Sequence, residues 1–245
     1  MPPIRTPALV LHSFPYGETS RILRILTPEY GLRSVIAKGA RRPRSRFGAI
    51  LEPFTEGEAQ FNLREGADLF TLTGFTLRRS RQGIGRDLAA FTGASLLAEV
   101  ALRFGTEEEN ATLYDLLVAA LDRLADPRIP SAATTLQALW TLVSLLGYQP
   151  QMTACVQCGR SIGDSENTGF DARAGGALCT TCRPGGRLPA IVRCEIDRMS
   201  ETADWSVDPS SHALHADLLE SFLSLHLAAE RGLRAFPLFR AQLQP

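Results

Sequence analysis

The chain has 245 residues, 44% of them apolar and 21% charged, with a formal net charge of zero. That is enough chain to bury roughly seven-tenths of its unfolded surface in one or two domains, and its composition excludes a disordered or fibrous protein. No apolar run approaches the roughly 20 residues of a membrane span, and MPPIRTPALVLHS lacks the basic start, apolar stretch and small-residue cleavage site of a signal peptide.

The charge is unevenly spread. Residues 1–50 carry nine cations (Arg5, Arg21, Arg24, Arg33, Lys38, Arg41, Arg42, Arg44, Arg46) against Glu18 and Glu29. Residues 87–154 carry three arginines against eight carboxylates. Such polarity points to a polyanion at the N-terminal end, or to a solvated basic face.

Residues 6–80 read as strands. Pro7–Phe14, Ser20–Thr27, Leu32–Lys38, Phe54–Asn62 and Leu69–Arg79 are β-rich runs. Turn signals at Pro15-Tyr16-Gly17, Pro28-Glu29-Tyr30-Gly31 and Arg64-Glu65-Gly66 separate several of them. Five short strands suit a small closed barrel of the OB type, with a sandwich or SH3-like barrel as the other solutions.

Between the third and fourth strands lies Lys38-Gly39-Ala40-Arg41-Arg42-Pro43-Arg44-Ser45-Arg46-Phe47-Gly48, with five cations in nine residues and no carboxylate. Gly39, Pro43 and Gly48 oppose a strand or helix there. Lys38, Arg41, Arg42, Arg44 and Arg46 can follow a phosphate backbone and release its counterions. Phe47 or Tyr16 can stack on a base or serve as packing. A second basic cluster, Arg78, Arg79, Arg81 and Arg86, lies where the last strand hands over to the helices; it extends the cationic track or pairs with the acidic residues that follow.

From residue 86 the period is helical. The stripes are Leu96–Phe104, Leu113–Leu124 and Leu136–Leu146, with Gly147 as a stop and Thr106 ahead of Glu107–Glu109 as a helix start. A further helix carries Leu214, Leu218, Phe222 and Leu225.

Cys155-x-x-Cys158 and Cys179-x-x-Cys182 place four thiolates in a tetrahedral arrangement that suits one structural zinc ion per chain. Two disulfides or four unrelated thiols are the plainer readings. Cys194 is left over and reads as a small buried hydrophobe. Four sulfurs fill the zinc sphere and leave no place for water or substrate, so the site braces a fold and does not hydrolyse. His12, His212, His215 and His226 form no HExxH, and His212-x-x-His215 reads as a surface or capping pair. There is no Walker A motif, and Gly83-x-Gly85 lacks a third glycine. These exclusions argue against an enzyme.

Tyr16-Gly17-Glu18-Thr19-Ser20, Thr27-x-Glu29-x-Gly31, Ala37-Lys38-Gly39-Ala40-Arg41, Ser45 and Pro53-Phe54 together resemble the N-terminal signature of the RecO family of bacterial DNA repair and recombination mediators. The order of parts agrees: barrel over 1–82, helical domain over 83–153 and 187–245, zinc module over 154–186. The resemblance implies binding of single- and double-stranded DNA and annealing of complementary strands. It also implies loading of recombinase, with RecR and RecF, onto strands coated by single-strand-binding protein. By resemblance the protein works in the bacterial cytoplasm, at the nucleoid. Lys38 and Arg41 match the family's basic loop; Arg42, Arg44 and Arg46 join by charge alone. Some members lack the cysteines, so zinc rests on the spacing here. An RNA-binding OB module or a protein-interaction scaffold is the alternative reading.

Overall fold

The structure is a computed structural model describing residues 3–48, 50–63, 66–199, 207–226 and 232–243. The chain divides into two compact units, residues 1–87 with 97–127, and residues 88–96 with 128–245.

The first unit is built on a closed barrel of five strands: β1 (Ile4–Tyr16), β2 (Ser20–Thr27), β3 (Gly31–Ala37), β4 (Glu56–Phe61) and β5 (Phe70–Arg79). Their order around the barrel is β1-β2-β3-β5-β4, closing back onto β1. The β3–β5 pairing is parallel and the others antiparallel. This is the OB-type barrel expected from the strand count, and it leaves no open sheet edge. Inward positions alternate along the strands: Ala8 and Val10, Leu23 and Ile25, Val35 and Ala37, Ala59 and Phe61, Phe70 and Leu72 fill the interior.

β1 is longer than its sequence signal, because Pro7 and Pro15 both lie within the strand. A register shift between Val10 and His12 leaves Leu11 as the extra residue. The same unit holds a 3-10 turn (Gln82–Arg86) and, downstream, the helix Ala111–Ala125.

That helix does not begin on the carboxylates. Its cap is Asn110, whose Oδ1 accepts the Leu113 N–H at 2.9 Å, so Glu107–Glu109 precede the first turn. Glu107 instead pairs with Arg33 at 3.3 Å. An Asn side chain competes well for orphan N–H groups at a cap, which a Thr four positions earlier cannot reach.

Helices are α1 (Leu88–Phe104), α2 (Ala111–Ala125), α3 (Ser131–Leu145), α4 (Ala190–Met199), α5 (His212–His226) and α6 (Ala235–Ala241). α3 stops where expected: Gly147 takes φ +84, and the Tyr148 N–H reaches back to the Val143 carbonyl at 3.0 Å. The cysteine module lies between α3 and α4 and carries a two-stranded ribbon, β6 (Gly169–Asp171) and β7 (Gly176–Leu178). Among the described residues no helix is long and apolar enough to cross a membrane.

Candidate nucleic-acid interface and metal centre

The segment joining β3 to β4 begins as a succession of tight turns. Arg42 N–H donates to the Gly39 carbonyl, Ser45 N–H to Arg42, Gly48 N–H to Ser45 and Ile50 N–H to Phe47, all at 3.0–3.2 Å. Ala40, Phe47 and Leu51 turn inward and join the barrel core. Phe47 is therefore only 2% exposed and is packing, not a stacking ring. The Arg46 guanidinium lies 4.9 Å over its outer face.

Lys38, Arg41, Arg42, Arg44 and Arg46 are all exposed. Among the described residues none of the five pairs with a carboxylate. The Arg41 N–H donates to Thr19 O at 2.8 Å and its guanidinium to Gly17 O at 3.3 Å. These bonds tie the loop to the β1–β2 turn. Five unneutralised cations thus share one rim of the barrel with the exposed ring of Tyr16.

The second cluster is used differently. Arg81 is buried; its guanidinium meets Asp122 at 2.7 Å, Glu56 at 2.8 Å and the Phe54 carbonyl at 3.0 Å. Each of its three nitrogens donates inside the fold, and the side chain is buried there. Arg79 also pairs with Asp122, and Arg78 lies 3.8 Å from Glu58. This cluster belongs to an internal network with the carboxylates of β4 and α2. Beside it, burial and then the Glu56 charge push the Tyr114 phenol up to about 12. The network also holds Phe54 at φ +69, a conformation costly for a non-glycine residue. The Phe54 N–H donates to Val10 O at 2.7 Å while its carbonyl accepts from Arg81.

In the second unit, the sulfurs of Cys155, Cys158, Cys179 and Cys182 all lie within 4.8 Å of one another. A tetrahedron with metal–sulfur bonds of about 2.3 Å has edges of about 3.8 Å, and Cys158 Sγ lies 3.8 Å from Cys179 Sγ. All four thiols are free, so the arrangement is not a pair of disulfides. The Cys182 backbone N–H and the Arg160 guanidinium pull the Cys179 thiol down to about 6. Its neighbour Cys158 and burial push Cys182 up to about 12. Four crowded sulfurs resist carrying four negative charges together, and a bound dication removes that conflict. The donor set and spacing therefore fit zinc. Cys194 stands apart, half-buried, with its Sγ 3.6 Å from the Asp164 carbonyl.

Residues 1–81 match the family model described as recombination protein O N terminal, and residues 85–234 the model described as recombination protein O C terminal. The chain belongs to the recombination protein O family. Among its relatives, a DNA repair protein RecO of Anaeromyxobacter sp. (strain K) is 33% identical over 244 residues, 95% of each chain. Another, of Nocardioides sp. (strain ATCC BAA-499 / JS614), is 34% identical over 240 residues, 94% of this chain and 96% of that one.

In this RecO-family chain the signature residues prove to be turn-makers. Thr27 Oγ1 accepts the Tyr30 N–H and donates to Gly31 O, closing the β2–β3 turn. Glu29 accepts from the Thr6 hydroxyl. Gly31 has φ +58, and a Cβ there would stand 2.2 Å from the Glu108 carbonyl oxygen, so only glycine fits. Tyr16–Ser20 forms the β1–β2 turn, and Ala37–Arg41 launches the basic loop.

Among the features of the second unit that the sequence reading missed are α4 and the burial of His215. α4 was not anticipated, because its buried positions include Arg193 and Glu195, which interrupt the apolar stripe. His215 is not a surface residue: it is fully buried, with its Nδ1 accepting the Trp140 indole N–H at 3.2 Å and its Nε2 2.8 Å from Glu195.

Proposed function

We propose that this protein is a non-enzymatic DNA-binding mediator of recombinational repair. In this reading it binds single- and double-stranded DNA through the loop Lys38–Arg46 and anneals complementary strands. It acts with RecR, and less directly with RecF and recombinase, on strands coated by single-strand-binding protein, in the bacterial cytoplasm at the nucleoid. One zinc ion held by Cys155, Cys158, Cys179 and Cys182 stiffens the second unit and takes no part in chemistry. Family membership supports the repair role.

The observation that carries the site is the set of five exposed cations on the loop after β3 that have no acidic partner among the described residues. Phosphate contacts supply affinity without sequence information. Annealing needs two polyanions held together at reduced repulsion; base pairing then drives the reaction, and no nucleotide hydrolysis is required. Arg78 and Arg79, each half in solvent, stand at the margin of the site, and Arg81 outside it.

A strand-annealing assay across a salt series, with and without single-strand-binding protein, tests the reading. Purified protein should accelerate annealing, and an alanine variant of Lys38, Arg41, Arg42 and Arg44 should not. Normal annealing by that variant at physiological salt would remove the loop from the site. Strong preference for RNA over DNA of equal length would favour the RNA-binding alternative.

A further inference from the structure

The first cysteine pair sits on a tight hairpin. Ala154 and Ser161 face each other across it, the Cys155 N–H donates to the Arg160 carbonyl and the Ile162 N–H to the Thr153 carbonyl, both at 2.8 Å. Cys158 lies at its tip. The four sulfurs are therefore unequally covered: Cys155 and Cys179 are 2% and 0% exposed, Cys182 is half-buried, and Cys158 is open to solvent. Cys158 Sγ is also the sulfur that stands 3.8 Å from the buried Sγ of Cys179. Oxidation of sulfur follows thiolate character and exposure, and an exposed thiolate with a second sulfur in reach closes to a disulfide.

The chain around this hairpin is tied to α4. Thr168 and Leu188 exchange N–H···O bonds at 2.9 and 2.8 Å, and Asn167 Oδ1 accepts the Ala190 N–H at 2.9 Å, where α4 begins. From within α4, Arg193 donates to the carbonyls of Met152 at 2.7 Å, Gly163 at 2.6 Å and Asp164 at 3.2 Å, on both sides of the hairpin. Arg193 is 1% exposed, its Nε is unpaired, and among the described residues it has no carboxylate partner. Three carbonyl oxygens alone compensate this buried cation, and they do so only while the hairpin and the loop after it stay in place. A buried charge that loses its partners is strongly destabilising.

Resting on the four-sulfur zinc reading above, we propose that Cys158 is an oxidation site for peroxides, and that a Cys158–Cys179 disulfide releases the metal and loosens α4 through Arg193. The Cys158 thiolate attacks one oxygen of hydrogen peroxide, breaking the O–O bond and giving a sulfenic acid and hydroxide. The Cys179 thiolate then attacks that sulfur, forming the S–S bond and expelling a second hydroxide. Two electrons pass from the sulfurs to the peroxide. Cys155 and Cys182 are left, and a closed structural site needs four ligands, so the ion departs. A thiol reductant reverses the step by exchange.

The test treats the zinc-loaded protein with hydrogen peroxide and follows zinc with a chromogenic chelator. Zinc should be released, dimedone at low peroxide should label Cys158 first, and peptide mapping should find the Cys158–Cys179 disulfide. Hydrogen exchange should rise in residues 150–168 and 190–199 and not in the barrel strands, and dithiothreitol with added zinc should restore both. Cys194→Ser should release zinc at the unaltered rate. Cys158→His supplies a nitrogen ligand in place of the exposed sulfur, and zinc it holds should leave at least about ten-fold more slowly; if it holds none, the dimedone and disulfide maps of the unaltered protein decide. Zinc retained under peroxide, or first labelling at another cysteine, overturns the proposal. Zinc release with unchanged exchange in α4 overturns the part played by Arg193. Protein that takes up no zinc fails the metal reading itself, so the two failures are distinguishable.

Discussion

Arg81 Nε stands 2.7 Å from Asp122 Oδ1, joining the end of β5 to α2 across 41 residues of sequence. The contact divides the arginines of this protein into two kinds. Removing Arg81 would leave Glu56 and Asp122 beside each other without their shared cation. Arg81→Ala should therefore cost about 3–5 kcal/mol of stability, read as a lowered denaturation midpoint in urea. Arg44 is exposed and, among the described residues, has no carboxylate partner, so Arg44→Ala should stay within about 0.5 kcal/mol. Equal stability of the two variants would show that the buried network contributes nothing to the fold.

The loop variant makes a second measurement specific. Each duplex phosphate contact contributes about 0.9, and each single-strand contact about 0.7, to the slope of log affinity against log salt. Replacing Lys38, Arg41, Arg42 and Arg44 with alanine should flatten the duplex slope by up to about three to four and weaken many sequences alike. Fluorescence anisotropy over a salt series reads both. An unchanged slope would mean that other cations neutralise the phosphates.

The strands were legible as β-rich runs between turn signals; which face turns inward was not, since Phe70 and Leu72 fill the barrel while Leu69 is exposed and Thr71 and Thr73 lie outside the core. The cysteines were legible because CxxC spacing is a local property. What could not be read was which member of a residue class faces in. Arg79 and Arg81 look alike in sequence, but only the partners at Glu56 and Asp122, far along the chain, bury one of them. Phe47 and Tyr16 both flank glycine-bearing turns, yet the turns after Arg42 send Phe47 into the core and leave Tyr16 outside. α4 was lost because Glu195 is made acceptable in a buried stripe by His215, Ser211 and the Asp208 N–H, 20, 16 and 13 residues downstream.

Metal removal should act on one part of the protein. The segment 159–178 has few apolar residues, so on the proposed zinc reading metal binding supplies its folding free energy. The purified protein should carry one zinc per chain, and Cys155→Ser or Cys179→Ser should abolish stoichiometric binding. Chelation should open residues 150–188 to limited proteolysis while the barrel stays intact and keeps its affinity for DNA. Full occupancy in either serine variant, or a proteolytic pattern indifferent to chelator, would contradict the four-sulfur site.

The buried Trp140–His215–Glu195 chain predicts how the second unit responds to acid. The Trp140 indole can only donate, so His215 Nδ1 is an acceptor and its proton sits on Nε2, facing Glu195. Burial alone would raise the Glu195 carboxyl. His215, the Asp208 N–H and the Ser211 hydroxyl outweigh it and hold the group below its ordinary 4.5. A carboxylate depressed in the folded state contributes its stability above the unfolded value and loses it as pH falls through the folded one. Asp208, depressed by Ser210, acts in the same direction. Burial also holds the His212 imidazole below its ordinary 6.5, so stability, read by thermal unfolding, should begin to fall as pH drops below about 6.5 and fall further below about 4.5, where the carboxylates take up protons. Glu195→Gln should be less stable at neutral pH, because a charge-assisted bond is lost, and should show a shallower acid limb. Parallel acid limbs in the two proteins would mean that Glu195 is not the group that titrates.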